Sequence, residues 1–397
     1  MITERSAGKS VPTVLIVGGG LGGLMLATLL ERCNVPYHVF ERALELRALG
    51  SAMTLGATIL PVFEQLGLYE EIQKMSLTFS QVDMYTTAKT AKKLGSIDMG
   101  SWMTDIGYDS LIFPRPKLYE LLLKQVPPEK ISLGKKVLRT ETKEGKIHIY
   151  CADNTTYEGD LLVGSDGAYS GVRQSLFKQM MEEGVLPKID QENLSIGYVS
   201  MVGVATAMDP EKYPQLKDNF CHFSQVLGED TRSWGICSMA NNQVGWLLSY
   251  QVSEMEGKEQ HFRNSEWGPQ SNEAMIKEFE DLPSPWGGTM GEFIRQTPKD
   301  LISKVYLEEK LFETWYHSQT VLIGDACHKM LPGAGQGAVS AMQDAVVLAN
   351  CIYNMEDVRS ESITAAFEEF YKQRYDRVNI QLKGSNSWSK ILAGQVF

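Results

Sequence analysis

The stretch VLIVGGGLGGL at residues 14–24 decides the fold class of this chain. Its first four residues are apolar, as in a buried parallel strand, and the apolar residues after Gly23 continue as a helix. Gly18, Gly20 and Gly23 have the spacing G-x-G-x-x-G. The first glycine permits a tight turn, the second lets the backbone approach a pyrophosphate, and the third lets the helix pack on the strand. The stretch therefore predicts a strand, a glycine turn and a helix whose N-terminus faces phosphate groups.

An acidic residue follows the glycines at the distance that dinucleotide-binding folds require, about 20 residues. Val39 and Phe40 end a second apolar segment, and Glu41 comes directly after it. A carboxylate at this position can accept hydrogen bonds from ribose hydroxyls. The alternative is a glycine turn with no ligand, and Glu41 argues against it. Strand, turn, helix and Glu41 together predict a dinucleotide site.

Length and charge limit the classes of function. With 397 residues, the chain is long enough for about two domains. Its 38 basic and 49 acidic residues give a net charge of −11. That charge disfavours nucleic acid and anionic membrane surfaces as partners. We therefore expect a small-molecule partner and no nucleic acid.

The cysteines and the apolar segments indicate a compartment. Six cysteines are scattered without the spacing of a zinc site or a C-x-x-C pair, so we expect reduced core thiols and no metal. The apolar run at residues 14–30 contains the glycine turn and is too short for a membrane span. As a signal peptide it would be removed together with the cofactor site. We therefore expect a cytoplasmic chain without a membrane span.

Two kinds of sequence pattern alternate along the chain. Residues 1–75, 110–180 and 296–397 have the strand and helix patterns of an α/β fold, whereas 76–109 and 181–295 contain short stretches that alternate apolar and polar residues. Period-two alternation is typical of antiparallel strands with one buried face. We predict an α/β fold: a discontinuous Rossmann-like cofactor-binding domain, an inserted antiparallel-sheet substrate domain and C-terminal helices. One of these helices is predicted from about Ala338 to Tyr353, and the second from Ile363 to about Leu382.

Two further motifs place polar groups after predicted strands. In the first, the apolar segment 160–164 leads into Ser165, Asp166 and Gly167, which by themselves are also typical of an Asx cap at a helix start. In the second, a strand ends before Asp325, and a glycine-rich loop then opens a helix at about Ala338. An aspartate there can bind sugar hydroxyls, and the loop can offer N–H groups backed by a helix dipole.

In this order and spacing, the three motifs resemble those of the single-component FAD-dependent monooxygenases with the para-hydroxybenzoate hydroxylase fold. The resemblance extends over residues 11–55, 110–175 and 300–380, approximately. His328-Lys329-Met330 and the tryptophan-containing stretch before it resemble the branch found in fungal secondary metabolism, which includes the paxilline-type epoxidases. The chain departs from the family pattern at Gly333, Val339 and Gln343, where Asn, Asn and Glu are usual.

The resemblance implies FAD as cofactor, with NADPH or NADH as co-substrate. It implies that Asp325 binds the ribityl chain and that residues 335–338 face the pyrimidine edge of the flavin, where their N–H groups would stabilise negative charge. The full set of implied cofactor-binding residues is Gly18, Gly20, Gly23, Glu41, Arg42, Arg115, Asp166, Asp325, Gly335, Gln336, Gly337 and Ala338.

Candidate catalytic residues are fewer. Pro332 resembles the proline near the oxygen-reaction site of the family, and Arg47 matches an arginine often near the flavin, although a solvated arginine explains it as well. His328 is a candidate acid or base, and a structural role in its loop is the alternative.

Candidate substrate-pocket residues lie in the alternating segments. They are His222, Trp234, Trp246 and Tyr250. The alternative for the tryptophans and Tyr250 is packing in the sheet core. The alternative for His222 is a core or surface position in which its hydrogen bonds are satisfied.

These features predict an NAD(P)H-dependent FAD monooxygenase that hydroxylates or epoxidises an apolar or aromatic small molecule with O2, through a C4a-hydroperoxyflavin. A dry site is needed for that chemistry, because water would release the oxygen as peroxide. No second strand, G-x-G-x-x-G and helix unit is visible in the sequence, which argues against a separate NADPH domain. The alternatives are an FAD-dependent reductase or dehydrogenase without oxygen transfer, and a redox-sensing flavoprotein that acts on a partner.

Overall fold

The computed structural model of the chain describes residues 10–46, 50–88, 90–100, 105–206, 208–228, 231–252 and 272–392. The strands are β1 (Val14–Val17), β2 (Tyr37–Phe40), β3 (Ala52–Leu55), β4 (Leu77–Thr78), β5 (Gln81–Ala88), β6 (Thr90–Asp98), β7 (Leu111–Pro114), β8 (Ile131–Ser132), β9 (Val137–Lys143), β10 (Lys146–Cys151), β11 (Thr156–Gly159), β12 (Leu161–Gly164), β13 (Ser195–Ala205), β14 (Phe223–Leu227), β15 (Arg232–Met239), β16 (Gln243–Gln251), β17 (Ser303–Leu311), β18 (Tyr316–His317), β19 (Thr320–Leu322) and β20 (His328–Lys329). The α-helices are α1 (Leu21–Arg32), α2 (Leu60–Gln65), α3 (Tyr69–Lys74), α4 (Arg115–Leu123), α5 (Gly171–Glu182), α6 (Asn272–Phe279), α7 (Met290–Arg295), α8 (Gly337–Asn354) and α9 (Ser360–Leu392).

The chain forms two compact units, each made of three segments. Unit 1 comprises Met1–Arg47, Tyr119–Leu194 and Glu309–Asn386, and unit 2 comprises Ala48–Leu118, Ser195–Glu308 and Ser387–Phe397. The boundaries differ from the predicted ones in both directions. Residues 48–75, 110–118, 296–308 and 387–397 lie in unit 2, although the sequence pattern grouped them with the cofactor-binding domain, and residues 181–194 lie in unit 1.

Strand pairing explains why residues near 50 belong to unit 2. β3 pairs antiparallel with β7, and β4 pairs with the other edge of β7. The Ser51 hydroxyl donates a hydrogen bond to the carbonyl O of Gly203 at 3.0 Å. These non-local contacts attach the segment after Arg47 to the second unit, and no local sequence pattern reports them.

Unit 1 is built on a sheet with the order β18-β19-β12-β1-β2-β8. All neighbouring strands pair in parallel except β18 with β19. The residues of β1 and β12 are buried throughout, as their continuous apolar sequences predict for a sheet covered on both faces. α1 packs against α8 so closely that a Cβ on Gly22 would lie 3.3 Å from the Cβ of Ala341. A second sheet, β11-β10-β9, is antiparallel.

Unit 2 is built on a large sheet in which β17, β13, β16, β15, β14, β5 and β6 follow one another. The pairs β13–β16, β16–β15, β15–β14 and β5–β6 are antiparallel, as predicted, whereas β14 and β5 pair in parallel. The structure also differs from the prediction of one buried face, because apolar clusters cover both faces of this sheet.

The two C-terminal helices are confirmed, one of them with a different end. α8 agrees with the helix predicted from about Ala338 to Tyr353. α9 runs on to Leu392, ten residues past the predicted end at Leu382. None of the helices in the described residues combines the length and the apolar character needed to cross a membrane.

Candidate functional site

The glycine turn ends β1 and begins α1, and its three glycines serve different purposes. Gly18 has φ +110°, and a Cβ on it would lie 2.3 Å from the carbonyl O of Ser165. A Cβ on Gly23 would lie 2.1 Å from the carbonyl O of Gly18, whereas a Cβ on Gly20 would meet nothing within 4 Å. The packing of the strands and α1 therefore requires Gly18 and Gly23. Gly20 borders open space, as the approach of a phosphate requires.

Glu41 lies beside this turn. Its Oε2 accepts a hydrogen bond from the Gly19 N–H at 2.7 Å, and its Oε1 accepts one from the Ala43 N–H at 2.8 Å. A carboxylate has about four acceptor positions, so these bonds orient Glu41 and leave capacity for ribose hydroxyls. Gly20 is the N-cap of α1 and supplies no side-chain hydrogen bond, so the N–H groups of the first turn are available to an anion.

Asp166 takes the capping role that the sequence left open as an alternative. Its carboxylate accepts hydrogen bonds from the Gly171 N–H at 2.7 Å, the Val172 N–H at 3.2 Å and the Ser170 hydroxyl at 2.5 Å. Burial raises the pKa of this carboxyl, and the hydrogen bonds oppose the rise. The neighbouring Gly167 has φ +85° and open space where its Cβ would be. The Asp166 side chain thus positions the start of α5.

Arg173 joins the second and third motifs, a role that the sequence analysis missed. The side chain is buried, and its Nη1 donates to the carbonyl O of Ala326 at 2.7 Å. Its Nη2 donates to the carbonyl O of Ala168 at 2.5 Å. A charged residue in the first turn of a helix that packs on a buried sheet was the available signal, because such a charge needs partners when it is buried.

The third motif presents one carboxylate and one helix N-terminus. Asp325 follows β19 in the turn Gly324–Ala326, is partly exposed and pairs with Lys329 Nζ at 2.5 Å. Gly335 adopts φ +65° before α8 begins at Gly337, and a Cβ on Gly337 would meet nothing within 4 Å. The first turn of α8 carries no acidic residue, so its N–H groups favour a negatively charged ligand.

His328 lies in a buried network centred on Asp344. His328 Nε2 is 2.5 Å from Asp344 Oδ2, and Arg374 Nε donates to Asp344 Oδ1 at 2.7 Å. The Gly324 N–H also donates to Asp344 Oδ2, at 2.9 Å. Burial would raise the pKa of Asp344, but pairing with His328 and Arg374 outweighs it, and the pKa lies below its ordinary value. The complete burial of His328 favours its structural alternative over direct contact with a substrate.

Among the described residues, two members of this network and the neighbouring Cys327 form a group of metal-ligand types. Ligand atoms of Cys327, His328 and Asp344 lie within 4.8 Å of one another. Burial raises the pKa of the Cys327 thiol well above its ordinary value, which keeps it protonated. Both oxygens of Asp344 already accept hydrogen bonds. These three residues therefore form a hydrogen-bonded core and not a metal site.

The remaining predicted cofactor and catalytic residues are spread over the chain. Arg42 and Pro332 are exposed, and Gln336 and Ala338 are half-buried at the start of α8. Arg115 lies in unit 2, where a Cβ on Gly50 would lie 2.9 Å from its Cδ. Arg47 lies outside the described residues.

Trp234 and Trp246 lie in the core, on one face of the large sheet. Both are almost fully buried. The Trp234 indole N–H donates to the Pro283 carbonyl O at 3.0 Å, and the Trp246 indole N–H donates to the Thr297 hydroxyl at 2.8 Å. They pack with residues of α6 and α7, and the half-buried Tyr250 packs at the border of this cluster. We call this side the helix-covered face. The structure therefore agrees with the alternative role of these residues, which is packing in the sheet core.

His222 precedes β14 and is half-buried. Its Nε2 lies 2.7 Å from Asp218 Oδ2, and its ring lies 4.7 Å from that of Phe220. This placement agrees with the alternative that His222 is a surface histidine whose hydrogen bonding is satisfied by the protein.

The opposite face of the large sheet has a different composition. Residues paired directly across neighbouring strands share a face. One such row on this face is Val202, Leu247, Gly235, Gln225 and Met84. The next is Ser200, Ser249, Ser233, Leu227 and Thr86. From β13 to β5 these two rows combine small, polar and aliphatic side chains without a charge, and the second row continues to Lys92 on β6, which pairs with Thr86.

Comparison with protein families identifies the family of this chain. The model of the family described as "FAD binding domain" matches residues 12–372. The chain belongs to this family. The expected fold class and the resemblance to FAD-dependent monooxygenases are confirmed.

Individual proteins agree with the family assignment. The FAD-dependent monooxygenase ptmM of Penicillium ochrochloron is 29% identical over 94% of this chain and 87% of its own length. The FAD-dependent monooxygenase paxM of Penicillium paxilli is 29% identical over 92% of this chain and 76% of its own length. Among solved structures, Klebsiella pneumoniae HpxO, crystallised with FAD and uric acid, superposes with a TM-score of 0.76 at 18% identity and covers 97% of this chain and 89% of its own. The last comparison shows a shared fold.

Proposed function

We propose that this member of the FAD binding domain family is a monooxygenase that uses NAD(P)H and O2 to hydroxylate or epoxidise an apolar or aromatic small molecule. Relatives that match over more than nine-tenths of the chain are named FAD-dependent monooxygenases, which supports the reaction class. The two rows on the opposite face of the large sheet carry no charge from β13 to β14, which supports a substrate of low polarity.

The observation that carries the proposal is the edge of the unit 1 sheet at which β19, β12 and β1 end. These three strands are neighbours and run parallel, so their carboxyl ends lie together. Gly20 and Gly167, which follow β1 and β12, border open space, and the carboxylate of Asp325 follows β19. Ligands of open α/β sheets bind outside the carboxyl ends of the strands. The residues present therefore fit a dinucleotide such as FAD.

Each of these groups would hold one part of FAD. The N-terminus of α1 would hold the pyrophosphate, because its first-turn N–H groups carry positive partial charge. Glu41 would accept hydrogen bonds from the adenosine ribose, since the Gly19 and Ala43 N–H groups already orient its carboxylate. Asp325 would accept hydrogen bonds from the ribityl chain.

FAD supplies two-electron redox chemistry that links oxidation of NAD(P)H to activation of O2. The protein contributes position and electrostatics. The first turn of α8, which carries no acidic residue, would stabilise negative charge on the ring system through its N–H groups. The network of His328, Asp344 and Arg374 would hold the loop before α8 in place, since Arg374 Nη2 also donates to the carbonyl O of Ser340 at 3.3 Å.

The first experiment concerns the cofactor. Purified protein is denatured, and the released flavin is identified by chromatography. We expect free FAD, about one per chain. NAD alone, or a flavin that stays attached to the denatured protein, contradicts the proposal.

The second experiment concerns the reaction. NADH and NADPH oxidation is measured with a panel of apolar and aromatic compounds, and peroxide is measured in parallel. Product formed under ¹⁸O2 should contain one labelled oxygen atom. Product without label, or with label from water, contradicts oxygen transfer and favours a reductase or dehydrogenase.

A further inference from the structure

Gln225 is a buried polar side chain with almost no hydrogen bonding. It lies on β14, on the opposite face of the large sheet, and is 2% exposed. Its Nε2 donates to the carbonyl O of Val226 at 3.5 Å, the limit of a hydrogen bond, and within the described residues its Oε1 accepts none. Leaving a carboxamide buried in this state destabilises a protein, so the side chain needs an explanation.

Two other polar groups on this face, the Ser200 and Ser249 hydroxyls, are satisfied by the protein itself. The Ser200 hydroxyl donates to the Ser249 hydroxyl at 2.9 Å, and Ser249 donates to the carbonyl O of Val199 at 3.2 Å. Asn272 Oδ1 is also buried and unpaired, but almost none of its surface is accessible, so a ligand cannot reach it. Gln225 Oε1 is not closed off in this way. Gln225 therefore offers hydrogen-bonding capacity to a group from outside the sheet.

Gly235 makes room for this carboxamide. It pairs directly with Gln225 across β14 and β15, and a Cβ on it would lie 2.6 Å from Gln225 Oε1. Leu247 follows Gly235 in the same row, on β16. The carboxamide thus lies over a glycine next to aliphatic surface, which leaves one polar position in an otherwise apolar row.

We propose that Gln225 orients the substrate by hydrogen-bonding its single polar group, and that the substrate is an uncharged, largely apolar molecule with one hydroxyl or carbonyl. Oε1 would accept from a hydroxyl, and the second Nε2 proton would donate to a carbonyl. A charged substrate is disfavoured because the row that contains Gln225 carries no ionisable counter-charge from β13 to β5, and the cation of the second row, Lys92, lies farther off on β6, paired with Thr86. This inference rests on the proposed function, because it assigns the substrate class of the same enzyme.

The test measures binding and not turnover. Equilibrium dialysis of the FAD-loaded protein compares 2-naphthol, naphthalene and 2-naphthoate. We expect wild type to bind 2-naphthol about threefold to tenfold more tightly than naphthalene, the range of one neutral hydrogen bond. Gln225→Leu should remove this preference by weakening 2-naphthol and not naphthalene. Gly235→Ala should reduce it as well, because the added Cβ displaces the carboxamide.

Ser224→Ala is the matched control. Ser224 is the neighbouring buried residue on the helix-covered face, where its hydroxyl accepts from Trp286 Nε1 at 3.1 Å. This variant should keep the wild-type ratio of the two dissociation constants. Urea unfolding of all variants checks the fold, and Gln225→Leu should be at least as stable as wild type because it removes an under-bonded polar group.

Three results would overturn the inference: an unchanged ratio in Gln225→Leu, 2-naphthoate bound as tightly as 2-naphthol, or no binding of 2-naphthol by wild type. None of them bears on the cofactor or on oxygen transfer. Protein that contains no FAD refutes the proposed function instead, and the dialysis is then repeated on the flavin-free protein to test Gln225 by itself.

Discussion

Two buried polar sites, one in each unit, differ in how completely the protein satisfies them. In unit 1, both oxygens of Asp344 accept hydrogen bonds, from Arg374, His328 and the Gly324 N–H, and the atom of this network left without a partner among the described residues is His328 Nδ1. In unit 2, Gln225 is 2% exposed and has one marginal hydrogen bond. Burial alone therefore does not distinguish a structural group from a functional one.

The difference teaches where to look for ligand contacts. A buried carboxylate whose two oxygens are both satisfied stabilises one arrangement of the chain, and removing it leaves its partners unpaired. A polar group kept buried without partners costs stability, and binding of a ligand can offset that cost. We read the Asp344 network as architecture and Gln225 as a ligand contact, and the following predictions test that division.

The largest effect should come from Asp344→Ala. It leaves Arg374 and His328 buried without their carboxylate, so the free energy of unfolding should fall by about 3–5 kcal/mol. Urea unfolding followed by circular dichroism measures the loss. Asp153→Ala is the control, because Asp153 makes a surface ion pair with Lys135 and should change little. If Asp344→Ala were as stable as the control, the network would not be architecture.

In the glycine turn, Gly23 and Gly20 allow the same distinction between a structural role and a ligand-binding role. Gly23→Ala should destabilise the fold, because its Cβ would lie 2.1 Å from the carbonyl O of Gly18. Gly20→Val should keep the fold, because its Cβ meets nothing within 4 Å, and lose FAD, because the side chain occupies the space of the pyrophosphate. Thermal unfolding and FAD content per chain separate the two outcomes. FAD retained at the wild-type level in Gly20→Val would refute the site.

Asp325→Ala should weaken FAD binding about tenfold to a hundredfold, because a charge-assisted hydrogen bond contributes roughly 1.5–3 kcal/mol. Titration of the flavin-free protein with FAD measures the dissociation constant. Lys329→Met is the companion variant, since it removes the cation that pairs with Asp325 at 2.5 Å and leaves the carboxylate. It should weaken binding less. Equal affinities in wild type and Asp325→Ala would remove Asp325 from the site.

A smaller effect of opposite sign is expected from Gln225→Leu. Removing an under-bonded carboxamide from a buried row should raise the free energy of unfolding, by about 1 kcal/mol. The measurement is the urea midpoint of the ligand-free protein. A loss of stability comparable to that of Asp344→Ala would assign Gln225 to the architecture and erase the difference between the two sites.

The smallest effect concerns pH. The pKa of Asp344 lies below its ordinary value of 3.8 in the folded chain, so the unfolded chain binds a proton first as the pH falls. Its contribution is complete above about pH 4 and is lost as the pH falls through the lowered pKa. The stability difference between wild type and Asp344→Asn should be constant from pH 6 to 5 and shrink toward pH 3. A difference that grows on acidification would contradict the sign.

Local signals in the sequence predict what local geometry requires. The glycine spacing of Gly18, Gly20 and Gly23, with Glu41 after the next strand, predicts the strand, turn and helix that the structure contains, because φ angles and close backbone approach depend on neighbouring residues. The apolar run of α8 likewise predicts a helix. Asp344 within that run was a signal that a buried charge needs a partner, but Arg374, thirty residues on, could not be identified from it.

The sequence by itself determined the α/β class, the glycine turn with its acidic partner, and the alternating strands, since each is encoded within a few consecutive residues. Only the tertiary structure decided the rest. Trp234 and Gln225 belong to neighbouring strands with similar patterns, and strand register with the covering helices places one in the core and the other on the opposite face. α9 continues through Gly384 because Ser385 is buried and donates to the Leu331 carbonyl O. Such outcomes depend on contacts between distant segments, whose burial energies exceed local preferences.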